Sequence, residues 1–214
     1  MGLGLQTESG GGGNYADVVK FDARAGRMFR VDRVEGATGW ETNNVEITAD
    51  FKALIDLDNI QVGWLLFQAG VAPDMTMVKI GEPMPPRPSD QHKQGFKVMM
   101  KLAKSCGGDV REMAATAKSI IGAVDRLHEA YTAQKAANPG KLPLVALTGS
   151  TPIVSTGKGQ TSTNYAPVFE IAGWLPRPAD LGGDATETVA APPAPAPTPA
   201  PAKAPAAENF DTEF

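Results

Sequence analysis

Phe96-Lys97-Val98-Met99-Met100-Lys101-Leu102-Ala103 alternates without a break: Phe96, Val98, Met100 and Leu102 fall on one side, Lys97, Met99, Lys101 and Ala103 on the other. Such a period of two marks a strand with one buried face. The same texture recurs on both sides of it. Val18 to Asp22 and Arg27 to Val34 are strand-like runs separated by Ala23-Arg24-Ala25-Gly26, whose Gly26 suits the turn of a hairpin. Val45 to Phe51 alternates as well, and Ile60 to Phe67 reads as a central strand in which Gly63 marks a bulge or a close backbone approach. A short strand fits Met75 to Ile80. Pro83, Pro85, Pro86 and Pro88 then exclude regular structure.

Beyond the opening stretch the period changes. Ile120, Val124, Leu127 and Tyr131, with Ile121 and His128, form a stripe at helical spacing, which predicts one helix from about Thr116 to Ala137, ended by Asn138-Pro139-Gly140. Leu142 to Leu147, Ile153 to Ser155 and Tyr165 to Trp174 supply further strands, with a hairpin tip at Gly157 to Ser162. Many short strands with one inserted helix predict a mainly β domain. The expected form is a small antiparallel barrel like the five-stranded oligonucleotide-binding (OB) fold.

The predicted domain covers residues 14–178. Residues 1–13 are Gly-rich and polar and are expected to be a disordered arm, while 179–207 form an Ala/Pro linker whose 190–206 portion reads as a polyproline II spacer. Glu208-Asn209-Phe210-Asp211-Thr212-Glu213-Phe214 follows, an acidic and aromatic tip. Glu208, Phe210, Asp211, Glu213 and Phe214 suit capture by a basic, apolar pocket on another protein. The formal net charge is −4, but from Ala179 onward there are six acids and one lysine. The body therefore holds 19 basic and 18 acidic residues. Any basic surface on so neutral a body is local.

Cys106 is the single cysteine, which excludes an internal disulfide and fits a reducing compartment; no apolar run approaches the ~18 residues of a membrane span. One Cys and two distant histidines, His92 and His128, leave no usual zinc set, and no metal or other cofactor is expected. Gly157-Lys158-Gly159 resembles the end of a phosphate loop, but Gly159 stands where Ser or Thr would hold magnesium. Only His92 reads as free to act as a general base, so catalysis is not expected.

The most basic stretch is Lys20 to Arg33, with Lys20, Arg24, Arg27, Arg30 and Arg33 against Asp22 and Asp32. Tyr15, Phe29 and Trp40 lie before, within and after it. Alternation puts Arg27, Phe29, Val31 and Arg33 on one face and Met28, Arg30, Asp32 and Val34 on the other. Cations that track phosphates beside rings that stack on bases make a single-strand binder. The competing reading turns Phe29 and Val31 into the core and leaves the arginines solvated. Lys93, Lys97 and Lys101 form a second basic group, either lining a groove or facing solvent. Tyr165 is the stacking candidate of the last strand. Trp64, Phe67, Phe169 and Trp174 read as core, His128 as a packed histidine and Cys106 as inert.

With those residues in view, the chain resembles the single-stranded DNA-binding proteins of tailed bacteriophages. The resemblance rests on Gly63-Trp64-Leu65-Leu66-Phe67, Ala72-Pro73-Asp74, Pro88-Ser89-Asp90-Gln91-His92-Lys93-Gln94-Gly95-Phe96, Gly140-Lys141-Leu142-Pro143, Gly149-Ser150-Thr151-Pro152, Asn164 to Ile171 and Trp174 to Pro178. It implies an OB-fold protein that coats single strands during replication, recombination and repair, in the cytoplasm of an infected or lysogenic bacterium. The tip resembles those that recruit replication and recombination proteins, although no Pro precedes Phe214 and Asn209 and Thr212 interrupt the acids. As a tethered polyanion it is also expected to compete weakly for the strand-binding face. The alternative from another class is a protein–protein adaptor, with the same basic hairpin holding an acidic peptide. Oligomeric state does not follow from the sequence.

Overall fold

The computed structural model describes residues 17–36, 39–69, 71–157 and 160–182. The chain is mainly β with one helix. Strands β1 (Val18–Asp22), β2 (Arg27–Gly36) and β3 (Gly39–Glu46) form a meander, followed by the short β4 (Lys52–Ile55). Next come β5 (Gln61–Leu66), β6 (Asp74–Lys79), β7 (Lys93–Leu102) and β8 (Val110–Ala115). Helix α1 (Lys118–Lys135) precedes the long hairpin of β9 (Lys141–Gly157) and β10 (Gln160–Pro176). No helix among the described residues is long and apolar enough to cross a membrane.

The alternating stretch at Phe96 is the hub. β7 pairs with β8 along one edge, from Phe96 to Lys101. On the other edge it has two partners. Lys93 to Lys97 face β5, whereas Met100 to Leu102 face β4. The sheet thus forks, and its order runs β10-β9-β4-β7-β8-β1-β2-β3, with β5 and β6 as a wing off β7. Every ladder is antiparallel except β1–β8, registered at Val18 and Glu112. The sheet does not close. A Tyr165 N–H to Ala23 carbonyl bond of 2.6 Å joins β10 to the β1–β2 turn.

The main buried cluster joins the meander, β7, β8 and α1. Val19, Phe21 and Met28 from β1–β2, Phe96, Val98 and Met100 from β7 and Met113 from β8 are buried with Ile120, Val124, Leu127 and Tyr131 of α1. Tyr131 stacks on Trp174 with centroids 5.6 Å apart, and Phe51 meets Phe169 at 6.1 Å. His128, half-buried, tilts against Tyr131. At the far end Leu54, Leu142 and Leu144 bury Leu181, so the packed chain runs past Pro178 through a 3-10 turn at Ala179–Leu181.

Three expectations are corrected. Val45 to Phe51 is not one strand: β3 ends at Glu46 and a turn follows, so Ile47 and Phe51 reach the core across the turn instead of by alternation. Trp64 is half-buried in the proline loop, donating Nε1–H to the Pro85 carbonyl at 2.8 Å with the Arg87 guanidinium 5.3 Å from its ring. Phe67 lies beyond the end of β5 and is 48% exposed.

Gly63 is the close approach that its place in the sequence suggested. A Cβ there would sit 2.1 Å from the Thr76 carbonyl oxygen and 2.9 Å from Met77 Cα. Backbone atoms cannot rotate aside as side chains do, so β5 and β6 would have to part. Gly63→Ala is expected to cost about 1–3 kcal/mol and lower Tm by roughly 3–10 °C, read by thermal melting. An unchanged Tm would mean that the wing adapts at no cost.

Candidate nucleic-acid interface

In β1, Val19 and Phe21 point into the core, which sends Val18, Lys20 and Asp22 to the outer face. Register carries that face into β2: Val18 opposes Val31, Lys20 opposes Phe29 and Asp22 opposes Arg27. Met28 is fully buried on the other side. Phe29 is therefore a half-buried ring of the outer face, with Lys20 Nζ 6.0 Å from its centroid.

Beside it runs a groove of about 560 Å³. One wall carries Lys20, Val31 and Arg33 from the meander; the other carries Phe67, Pro73 and Met75 from the wing. β7 and β8 run between these walls. Asp17 and Glu112 also line the groove, so its charge is mixed. Lys97 Nζ lies 3.6 Å from Glu112, which ties that lysine to the neighbouring strand.

The remaining candidates divide. Arg24 and Lys93 are exposed, at the β1–β2 turn and at the start of β7. Arg27 is exposed but pairs with Glu46 at 2.8 Å. Trp40 opposes Glu35 in the β2–β3 ladder, its side chain lying outside what the structure describes. Tyr15 and all five tip residues, Glu208, Phe210, Asp211, Glu213 and Phe214, fall outside the described residues.

Three candidates have other engagements. Lys101 pairs with Asp180 of the terminal turn and is only 13% exposed, because that turn folds back over it. Tyr165 is half-buried against the core, its ring beside Gly26, where a Cβ would meet Tyr165 Cγ at 3.0 Å. Gly26 stands at φ +68°, as a tight hairpin turn requires. Arg30 turns away from Phe29. Its Nη1 donates to the Cys106 carbonyl at 3.0 Å and its Nη2 to Asp32 at 2.8 Å. The cationic face is thus shorter than the run of basic residues suggested, since β2 alternates a groove side with a partly buried polar side.

That buried side holds the residue the sequence concealed. Arg111 of β8 is 4% exposed. It donates to Asp32 at 2.7 Å, to Asp109 at 2.6 Å and to the Val31 carbonyl at 2.8 Å. One guanidinium thereby bolts β8 to β2 beneath the groove floor. Burial alone would push the Asp32 carboxyl up, but the hydrogen bonds from Arg30 and Arg111 outweigh it and hold that group below its ordinary value.

His92 is not a free base. It is 3% exposed, with Nδ1 2.7 Å from Ser89 Oγ and Nε2 3.1 Å from Asp74. It pins the proline loop to β6. The Cys106 thiol is buried and donates to the Asp50 carbonyl at 3.0 Å. Among the described residues no group of three His, Cys, Asp or Glu is placed to hold a metal ion. No protein-family model, curated protein or solved structure matches the chain.

Proposed function

We propose that the protein binds single-stranded nucleic acid without sequence preference, through an OB-like face formed by β1, β2 and the β5–β6 wing. The observation that carries this reading is the direct opposition of Lys20 and Phe29 on the outer face, beside a groove whose far wall exposes Phe67. A base stacked on Phe29 places its phosphate near Lys20, and the next nucleotide runs toward Arg33. The acidic tip, residues 208–214, serves to recruit replication or recombination proteins, which fits the resemblance to phage single-strand binders. No catalytic step is assigned.

Arg24, Lys93, Lys20 and Arg33 are the phosphate contacts. Three or four such contacts on a single strand give a log–log salt slope of about −2 to −3. Fluorescence anisotropy with labelled oligo-dT, at two salt concentrations, is expected to show binding with that slope, and matched duplex DNA is expected to bind more weakly. Absence of oligo-dT binding at low salt would end the proposal. Asp17 and Glu112 in the groove favour the second reading, an adaptor that holds a peptide of mixed charge. An adaptor would leave the oligo-dT signal flat.

A further inference from the structure

A second cleft, sharing no lining residue with the first, lies between α1 and the β9–β10 hairpin. The helix turns Ser119, Gly122, Ala123 and Ala130 toward Phe169 and Ile171 of β10. Side chains this small do not fill the gap between helix and hairpin, and a cleft of about 860 Å³ remains. Lys118 and Arg126, both exposed, stand among its lining residues, opposed by the single acid Glu170. Leu127, Phe169 and Ile171 beside two cations, in a lining that Ser119, Thr151 and Gln134 make partly polar, suit an acidic, aromatic peptide.

This chain carries such a peptide. Residues 208–214 hold two phenylalanines and three carboxylate side chains. The linker that carries them leaves the body at Gly182, whose carbonyl accepts from Arg177 at 2.7 Å. Arg177 also grips Asp56, and nearby Asp58 pairs with Lys135 in the last turn of α1. The linker therefore starts by the C-terminal end of the helix that walls the cleft. An 18-residue helix is about 27 Å long. Twenty-five residues, 183–207, separate that point from the segment, and a chain of that length reaches roughly 25–30 Å, enough to return along the helix.

We propose that residues 208–214 dock in cis in the α1–β10 cleft, Phe210 and Phe214 on its floor and the acids toward Lys118 and Arg126. A tether of this length gives an effective concentration of about 1 mM, so an intrinsic Kd near 100 µM keeps the segment docked about nine-tenths of the time. A partner with a tighter pocket displaces it, which makes recruitment conditional on the partner's affinity. The proposal concerns a different face from the strand-binding groove and stands whether or not that groove takes nucleic acid.

Amide proton–nitrogen spectra of the full chain, compared with the F210A/F214A double variant, test it without nucleic acid. Perturbations are expected at Ser119, Gly122, Arg126 and Phe169, unchanged by dilution. Arg126→Glu in the otherwise unaltered chain is expected to drop the docked fraction below one half, read from the resonances of Phe210 and Phe214. Unperturbed cleft amides overturn the proposal. So do changes confined to the Lys20–Phe29 face, or changes that fade on dilution, which would mean docking on a second copy.

Discussion

Arg111→Met is expected to lower the unfolding free energy by about 1–3 kcal/mol, because it leaves Asp109 without its counter-charge and Asp32 with Arg30 alone. The side chain that is lost holds Asp32 and Asp109 at 2.7 and 2.6 Å and satisfies the Val31 carbonyl. Asp109 Oδ1 already has no hydrogen-bond partner. Methionine fills most of the arginine's stem volume, so the loss reports charge and hydrogen bonding more than a cavity. Urea unfolding at neutral pH measures it. Adding Asp32→Asn and Asp109→Asn to Arg111→Met is expected to recover part of the loss, since the stranded charges go with it. A loss under 1 kcal/mol for the single variant, or no recovery in the triple, would show that β8 is held to the meander by its apolar residues alone.

On the outer face the largest effect belongs to Phe29. Truncating a ring that stacks on a base costs about 1–3 kcal/mol, so Phe29→Ala is expected to weaken oligo-dT binding by roughly 5- to 150-fold. Lys20→Glu, on the residue directly opposite, is expected to weaken it further at low salt and to reduce the salt slope by about 0.7. Neither residue belongs to the buried core, and both variants are expected to melt within a few degrees of the parent. Lys141→Glu, at an exposed position outside the groove lining, is the control for net charge. If Phe29→Ala and Lys141→Glu bind oligo-dT equally well, stacking on Phe29 is ruled out.

Much of the fold was legible because one-faced strands advertise themselves. Phe96 to Ala103 showed a strand, though not that it is the hub, the stripe from Ile120 to Tyr131 marked the helix within two residues at each end, and Gly26 and Gly63 stood where the chain needed them. What stayed hidden has physical causes. In β4, Ala53, Leu54 and Ile55 are all buried, so the strand has no exposed face and no alternation to detect. In β8, Arg111 sits inward at the place where an apolar residue would have declared the pattern. The face of Phe29 followed from parity alone. That Arg30 would serve Asp32 and the Cys106 carbonyl did not, because that carbonyl lies on a turn far along the chain. Phe67 looked internal for the opposite reason: it continues an apolar run after the pairing has stopped at Leu66.

The side-by-side run of β1 with β8 bears on how the molecule is born. The meander leaves the ribosome early, the free edge of β1 unpaired, and the strand that pairs with it follows about ninety residues later. At translation speeds of about 5–20 residues per second, that flank stays uncovered for roughly 5–20 s. Over that interval a nascent chain is open to aggregation and to chaperones, and Arg111 arrives with the strand that ends the wait.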